Sequence, residues 1–204
     1  MYIPHHFEMK FEEDSFNVID QYSFAVLFSQ HDGVPYATHL PLILDETRTY
    51  LYGHFSRQNR QWQDIEDQYV MAVFQGPHSY ISPSWYETKD AVPTWNYVAV
   101  HVYGHVEITN PAETLQFLHK MVLKYEETDS KYQLNQVDST FLENMATGIT
   151  GFKIRIDKIE GKAKLSQNHP MIRQDLVIQH LEKSPNENDQ NMARLMRGNL
   201  ETSH

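Results

Sequence analysis

The chain has 204 residues and a formal charge of −10, from 17 Lys and Arg against 27 Asp and Glu. That balance argues against non-specific nucleic-acid binding, which needs Lys and Arg to displace phosphate counterions. With no Cys at all, disulfides, thiolate metal sites and a Cys nucleophile are excluded.

The opening thirty residues include Glu8, Glu12, Glu13 and Asp14 and no continuous apolar run. No signal peptide is therefore read there, and no segment reaches the length of a membrane helix. A cytoplasmic protein with no membrane attachment is expected. Strands dominate residues 23–109. "SFAVLFS" (23–29) closes on a turn at Asp32 and Gly33, and "PYATHLPLIL" (35–44) returns as the second arm of a hairpin. Pro41 marks either an edge strand or a backbone that faces a ligand in place of a ladder partner. "TYLYGHF" (49–55) and the buried-looking "YVMAVFQG" (69–76) follow.

Between them, "GHFSRQNRQW" (53–62) leaves a strand and enters a short helical stretch. Ser56, Arg57, Asn59 and Arg60 there suit an anion, since oriented N–H groups beside a guanidinium fork match a terminal phosphate. The plainer reading is that Ser56 caps the helix and the arginines are solvated. The strand "YVAVHVYGHVEI" (97–108) alternates Val98, Val100, Val102, Val106 and Ile108 with His101, Tyr103, His105 and Glu107. His101 and His105 would stand roughly 13 Å apart on such a strand, too far for one ion with ligand bonds of about 2 Å, so no metal is expected. "GFKIRIDKI" (151–159) alternates in the same way.

Helices come mostly late. Residues 111–127 begin with Asn110 as N-cap and Pro111 in the first position, with Leu115, Leu118, Met121, Val122 and Tyr125 as an apolar stripe. Residues 170–183 and a last helix from Ser184-Pro185 to about Gly198 follow. "GKAKLSQN" (161–168) is either a polar loop or a second patch of donors. Ser84 lacks a nucleophile-elbow pattern. Few helices between many strands predict a mainly β, α+β fold: a closed antiparallel barrel with peripheral helices. A split-barrel domain over 1–183 and a helical appendage over 184–204 are expected.

The stretches "GPHSYISPSWYE" (76–87) and "AVPTWNYV" (91–98) concentrate Trp85, Tyr86 and Trp95 between prolines. Such rings either fill a core or interface, or wall a flat ligand.

Taken in order, "MYIPHHF", "ATHLPL", "GHFSRQNRQW", "GPHSYISPSWY", "VPTWNYVAVHVYG" and "KLSQN" resemble the PaiB family. This is a bacterial group named for negative regulation of sporulation and degradative protease synthesis and classed among FMN-binding split-barrel proteins. The resemblance runs from Met1 to about Leu181. It implies a six-stranded split barrel, a two-fold homodimer and FMN at the interface. It further implies Thr38, His39 and Leu40 along the isoalloxazine edge, and His54, Ser56, Arg57 and Asn59 at the phosphate. Trp95 and Asn96 would come from the partner subunit, and Lys164, Ser166 and Gln167 would close the pocket. The function implied is transcriptional regulation of protease production and sporulation. The charge and the lack of a recognition helix make direct DNA binding doubtful and an indirect, flavin-linked route the expectation. The alternatives are an FMN-dependent oxidoreductase of a small molecule, for which no catalytic pair is assigned, a haem-binding or haem-degrading barrel, and a scaffold that binds nothing.

Overall fold

The computed structural model describes residues 1–127, 129–133 and 136–202. Its strands are β1 (Phe24–His31), β2 (Val34–Pro41), β3 (Ile43–Leu44), β4 (Tyr50–Ser56), β5 (Tyr69–Ile81), β6 (Thr94–Ile108) and β7 (Ile149–Lys164). Its α-helices are α1 (Glu12–Gln21), α2 (Pro111–Tyr125), α3 (Ser139–Ala146), α4 (Met171–Glu182) and α5 (Glu187–Thr202). The strands form one sheet in the order β2-β1-β5-β6-β7-β4-β3. β1 pairs antiparallel with β2 and β5, and β4 with β3 and β7.

This corrects the expected closed six-stranded barrel. Among the described residues the sheet has seven strands, and its order ends at β2 and β3. The extra strand comes from a change of partner near Pro41, after which Ile43 and Leu44 pair with Tyr52 and Leu51 of β4. β2 ends at Pro41, and Leu42 N still donates to Ser23 O at 2.9 Å before the chain passes to β4. The run read as one strand over 35–44 thereby splits into β2 and the two-residue β3. The tight hairpin turn holds as read, with Asp32 at φ 53 and Gly33 at φ 75.

The longer strands outrun their sequence signals. β5 continues through Pro77 to Ile81, and β7 to Lys164. α1 and α3 were not expected. α1 opens on Glu12, Glu13 and Asp14, which complement the helix dipole, and α3 is capped by Asp138, whose carboxylate accepts from Phe141 N at 2.9 Å. The expected stop at Gly198 does not occur; α5 runs through it.

The chain divides into two compact units. The first comprises Met1–Val18, Gln75–His101 and the residues from Glu160 on; the second comprises Ile19–Phe74 and Val102–Ile159. In the first unit Ile81, Val98 and Leu165 pack with Val177, Ile178 and Leu181 of α4 and Met192, Ala193 and Met196 of α5. Burying each such side chain contributes about 1.5–3 kcal/mol, so α5 is held by a shared core. Trp85 joins it and stacks on His180, with ring centroids 5.1 Å apart and planes 10° apart. Tyr86 lies 4.9 Å beneath the Arg173 guanidinium, which Glu87 grips through Nη2 at 2.7 Å and Nε at 3.2 Å. Two of the concentrated aromatics thus serve packing. In the second unit Phe55 stacks on Phe152 at 4.6 Å, and Phe117 and Met121 of α2 pack against Ile43 and Tyr52.

Candidate functional site

Within the second unit, β2 is a terminal strand of the sheet. One edge is paired with β1 in the register Leu27↔Thr38, Val26↔His39 and Ala25↔Leu40. Alternation then sorts the three residues expected along a ring edge. Leu40 is buried in the core. His39 is exposed and stacks on Phe24, with centroids 6.4 Å apart. Thr38 is tied inward, donating to Gln61 Oε1 at 2.5 Å and accepting from Asn59 Nδ2 at 2.8 Å.

Gln61, which the sequence reading passed over, is the hub. It is fully buried, and its Nε2 donates to Leu27 O at 3.2 Å and Ser29 Oγ at 2.9 Å. Its backbone N donates to Asn59 Oδ1 at 3.0 Å, so Asn59, and not Ser56, caps the short 3-10 turn Arg60–Gln63. Asn59 and Thr38 together pin that turn to β1 and β2. Three partners from separated segments cannot be read from local spacing.

The outward face of β1 is apolar. Phe24 is 67% exposed and Phe28 38%, with Val26 between them; Met71 and Val73 stand opposite Phe28 and Val26 on β5. Tyr69, which is 55% exposed, lies 6.4 Å from Tyr103 in a stacked pair. His39 sits at the border of this apolar surface, opposite Val26.

At the end of β4, Ser56 and Arg57 are exposed. Arg57 N donates to Gly148 O at 2.8 Å and its Nη2 to Ile149 O at 3.2 Å. Its guanidinium lies 5.9 Å from the Trp62 ring, and Trp62 Nε1 donates to Arg57 O at 2.9 Å. This fork is held in place yet open to solvent. His54 Nδ1 is buried without a hydrogen-bond partner, and burial pushes its imidazole below the ordinary histidine range.

The remaining expected contacts cluster in the first unit. Asn96 is fully buried; its Nδ2 donates to Ser166 Oγ at 2.9 Å and Met196 Sδ at 3.4 Å, and Ser166 Oγ donates back to Asn96 Oδ1 at 3.2 Å. Ser166 itself has φ 66, and Gln167 Nε2 donates to Ala163 O at 2.6 Å. Lys164 Nζ donates to Trp95 O at 2.8 Å and to Thr94 Oγ1. Burial, with Lys162 adding to it, pushes its ammonium below the usual lysine range. Trp95 differs from its neighbours: it is 53% exposed, edge-on to Tyr80 at 6.0 Å and beside His78 at 6.2 Å. The sequence-predicted residues therefore form two groups, one in each unit.

A family described as "Putative FMN-binding domain" matches residues 1–158. The Bacillus subtilis protein "Protease synthase and sporulation protein PAI 2" is 39% identical over 98% of both chains. The chain belongs to the PaiB family. Two solved structures share its fold. The Azotobacter vinelandii flavocytochrome Anf3 is 16% identical with a TM-score of 0.63, covering 78% of this chain and 70% of its own. The FAD and heme binding protein from Mycobacterium smegmatis is 13% identical with a TM-score of 0.61, covering 77% and 73%. FMN is the cofactor that PaiB membership implies. The second unit presents an exposed apolar face with an imidazole at its border and, at the end of β4, an exposed guanidinium, groups of the kinds used by sites for a flat ring with a phosphate tail. Among the described residues no helix is long and apolar enough to cross a membrane.

Proposed function

We propose that the PaiB-family chain binds FMN as a homodimer of split-barrel type and influences protease production and sporulation indirectly, through the state of its ligand. The observation that carries this reading is the exposed apolar face of Phe24, Val26 and Phe28 with His39 at its border. Large exposed apolar patches mark ligand or protein interfaces. The isoalloxazine is assigned to the β2 edge at Thr38–Leu40 and the phosphate to Ser56 and Arg57, while a second copy of the chain covers the β1 face. Trp95 is a further exposed ring on which a partner can close. The flavin function is assigned to residues 1–183, with 184–204 an addition to it. A net charge of −10 supports the indirect route, because DNA would have to be gripped against it.

Titration of the purified protein with FMN, followed by absorbance and flavin fluorescence, tests the reading. Saturable uptake is expected. Arg57→Ala is expected to weaken it by ~1.5–3 kcal/mol, the usual worth of a charged hydrogen bond. Unchanged affinity in that variant would move the phosphate elsewhere. Haemin uptake with a Soret band and no FMN uptake would overturn the flavin assignment. Steady oxidation of NADH or NADPH by the FMN-loaded protein would replace the regulatory reading with an oxidoreductase.

A further inference from the structure

Side chains join the turn that leaves β4 to the strand assigned to the ring. Gln61 uses both hydrogens of its Nε2, on Leu27 O at 3.2 Å and Ser29 Oγ at 2.9 Å. A backbone carbonyl only accepts, so Leu27 O fixes which end of the amide is nitrogen. The Thr38 hydroxyl must then donate to Gln61 Oε1, at 2.5 Å, and accept from Asn59 Nδ2, at 2.8 Å. Its single hydrogen is in use, and the Thr38 side chain has none left for a ligand. Asn59 Oδ1 in turn accepts from Gln61 N at 3.0 Å. Asn59 N donates to Ser56 O at 2.9 Å, which closes the turn that carries Ser56 and Arg57. Two hydrogen bonds therefore lead from the residues assigned to the phosphate to the strand assigned to the ring. Gln61 is fully buried, where hydrogen bonds are stronger than in water.

A ligand with a ring at one end and a phosphate at the other needs both seats at one fixed separation. A displacement of about 1 Å is enough to lose a well-aimed contact. The same flavin without its phosphate uses the ring seat alone and is indifferent to that separation. We infer that Thr38 and Asn59, braced by Gln61, are positioning residues that set the distance between the two seats and so select FMN over riboflavin. Asn59 then acts through Thr38 and not on the phosphate itself. The inference rests on the flavin reading and adds to it the device that discriminates between two flavins with the same ring.

The test compares FMN with riboflavin in fluorescence titrations of the full chain. Wild type should take FMN about tenfold more tightly, as a charged hydrogen bond to phosphate implies, and Arg57→Ala should remove the preference. Thr38→Val keeps the side-chain shape but breaks the tie. It should weaken FMN about tenfold more than riboflavin, and Thr38→Ser should restore the wild-type ratio. Asn59→Ser still caps the 3-10 turn but is too short to reach Thr38, and should match Thr38→Val. In the Arg57→Ala background Thr38→Val should leave the ratio unchanged, because the tie acts only through the phosphate seat. A merely destabilising substitution would weaken both flavins alike in either background. No FMN uptake by wild type would overturn the flavin reading and this inference with it. A wild type that prefers FMN, with a ratio that survives Thr38→Val and Asn59→Ser, would overturn this inference alone. So would a Thr38→Val effect on the ratio that persists without Arg57.

Discussion

Asn96 is a polar side chain whose whole hydrogen-bonding capacity is turned inward. Its reciprocal pair with Ser166 and its contact with Met196 Sδ tie β6 to the end of β7 and to α5. Replacing it leaves the Ser166 hydroxyl buried without its partner, and unsatisfied groups of that kind cost about 1–3 kcal/mol. Asn96→Ala should therefore lower the unfolding free energy by that amount, read as a lower urea midpoint with an unchanged slope; a variant as stable as wild type would show that water replaces the amide at no cost. Trp85 and Trp95 make the complementary point. Both stand in the same aromatic stretch, yet Trp85 stacks on His180 while Trp95 is 53% exposed. Nothing in the stretch itself separates them. The difference is made by α4, whose residues lie far along the chain.

The turn between β3 and β4 shows an element specified by one carboxylate. Asp45 Oδ1 accepts from Thr49 N at 2.7 Å and Tyr50 N at 2.8 Å, and Oδ2 accepts from Thr47 N at 3.2 Å. These bonds let Arg48 sit at φ 58. Burial is the largest single influence on the Asp45 carboxyl and raises its pKa, but the Thr47 hydroxyl and the backbone donors together outweigh it and hold the group below 3.8. A depressed folded-state pKa gives stabilisation that is complete above the unfolded value and lost as pH falls through the folded one. Asp45→Asn should thus be less stable than wild type at neutral pH, with the gap closing as pH falls below the ordinary carboxylate range and through the depressed folded-state value. A gap that stays constant into acid would remove the charge from the explanation. At this scale the sequence was informative where side chains alternate: Val98, Val100 and Val102 against His101 and Tyr103 announced β6. It was silent where a strand runs through Pro77, or where a short helix such as α3 has too few turns to show a period. The site was legible only in part for the same reason. Arg57 at a strand end carries a local signal, whereas the Thr38–Asn59–Gln61 network exists only once distant segments meet.

For the molecule as a whole, the apolar face of β1 and the absence of thiols matter most. If a second copy covers that face, as proposed, Phe28→Glu places a charge within it and should convert a sedimenting dimer to monomer with loss of FMN uptake; a dimer that persists would put the interface elsewhere. The core shared by α4 and α5 has a separate consequence. Met192 and Met196 are both fully buried there, and the chain has no Cys to consume an oxidant first. Dilute peroxide can reach these two sulfurs only when α5 lifts away, and each oxidised thioether prevents clean repacking. The rate at which their mass rises by one oxygen, compared with exposed Met145, therefore serves as a chemical clock for how often the C-terminal helix opens.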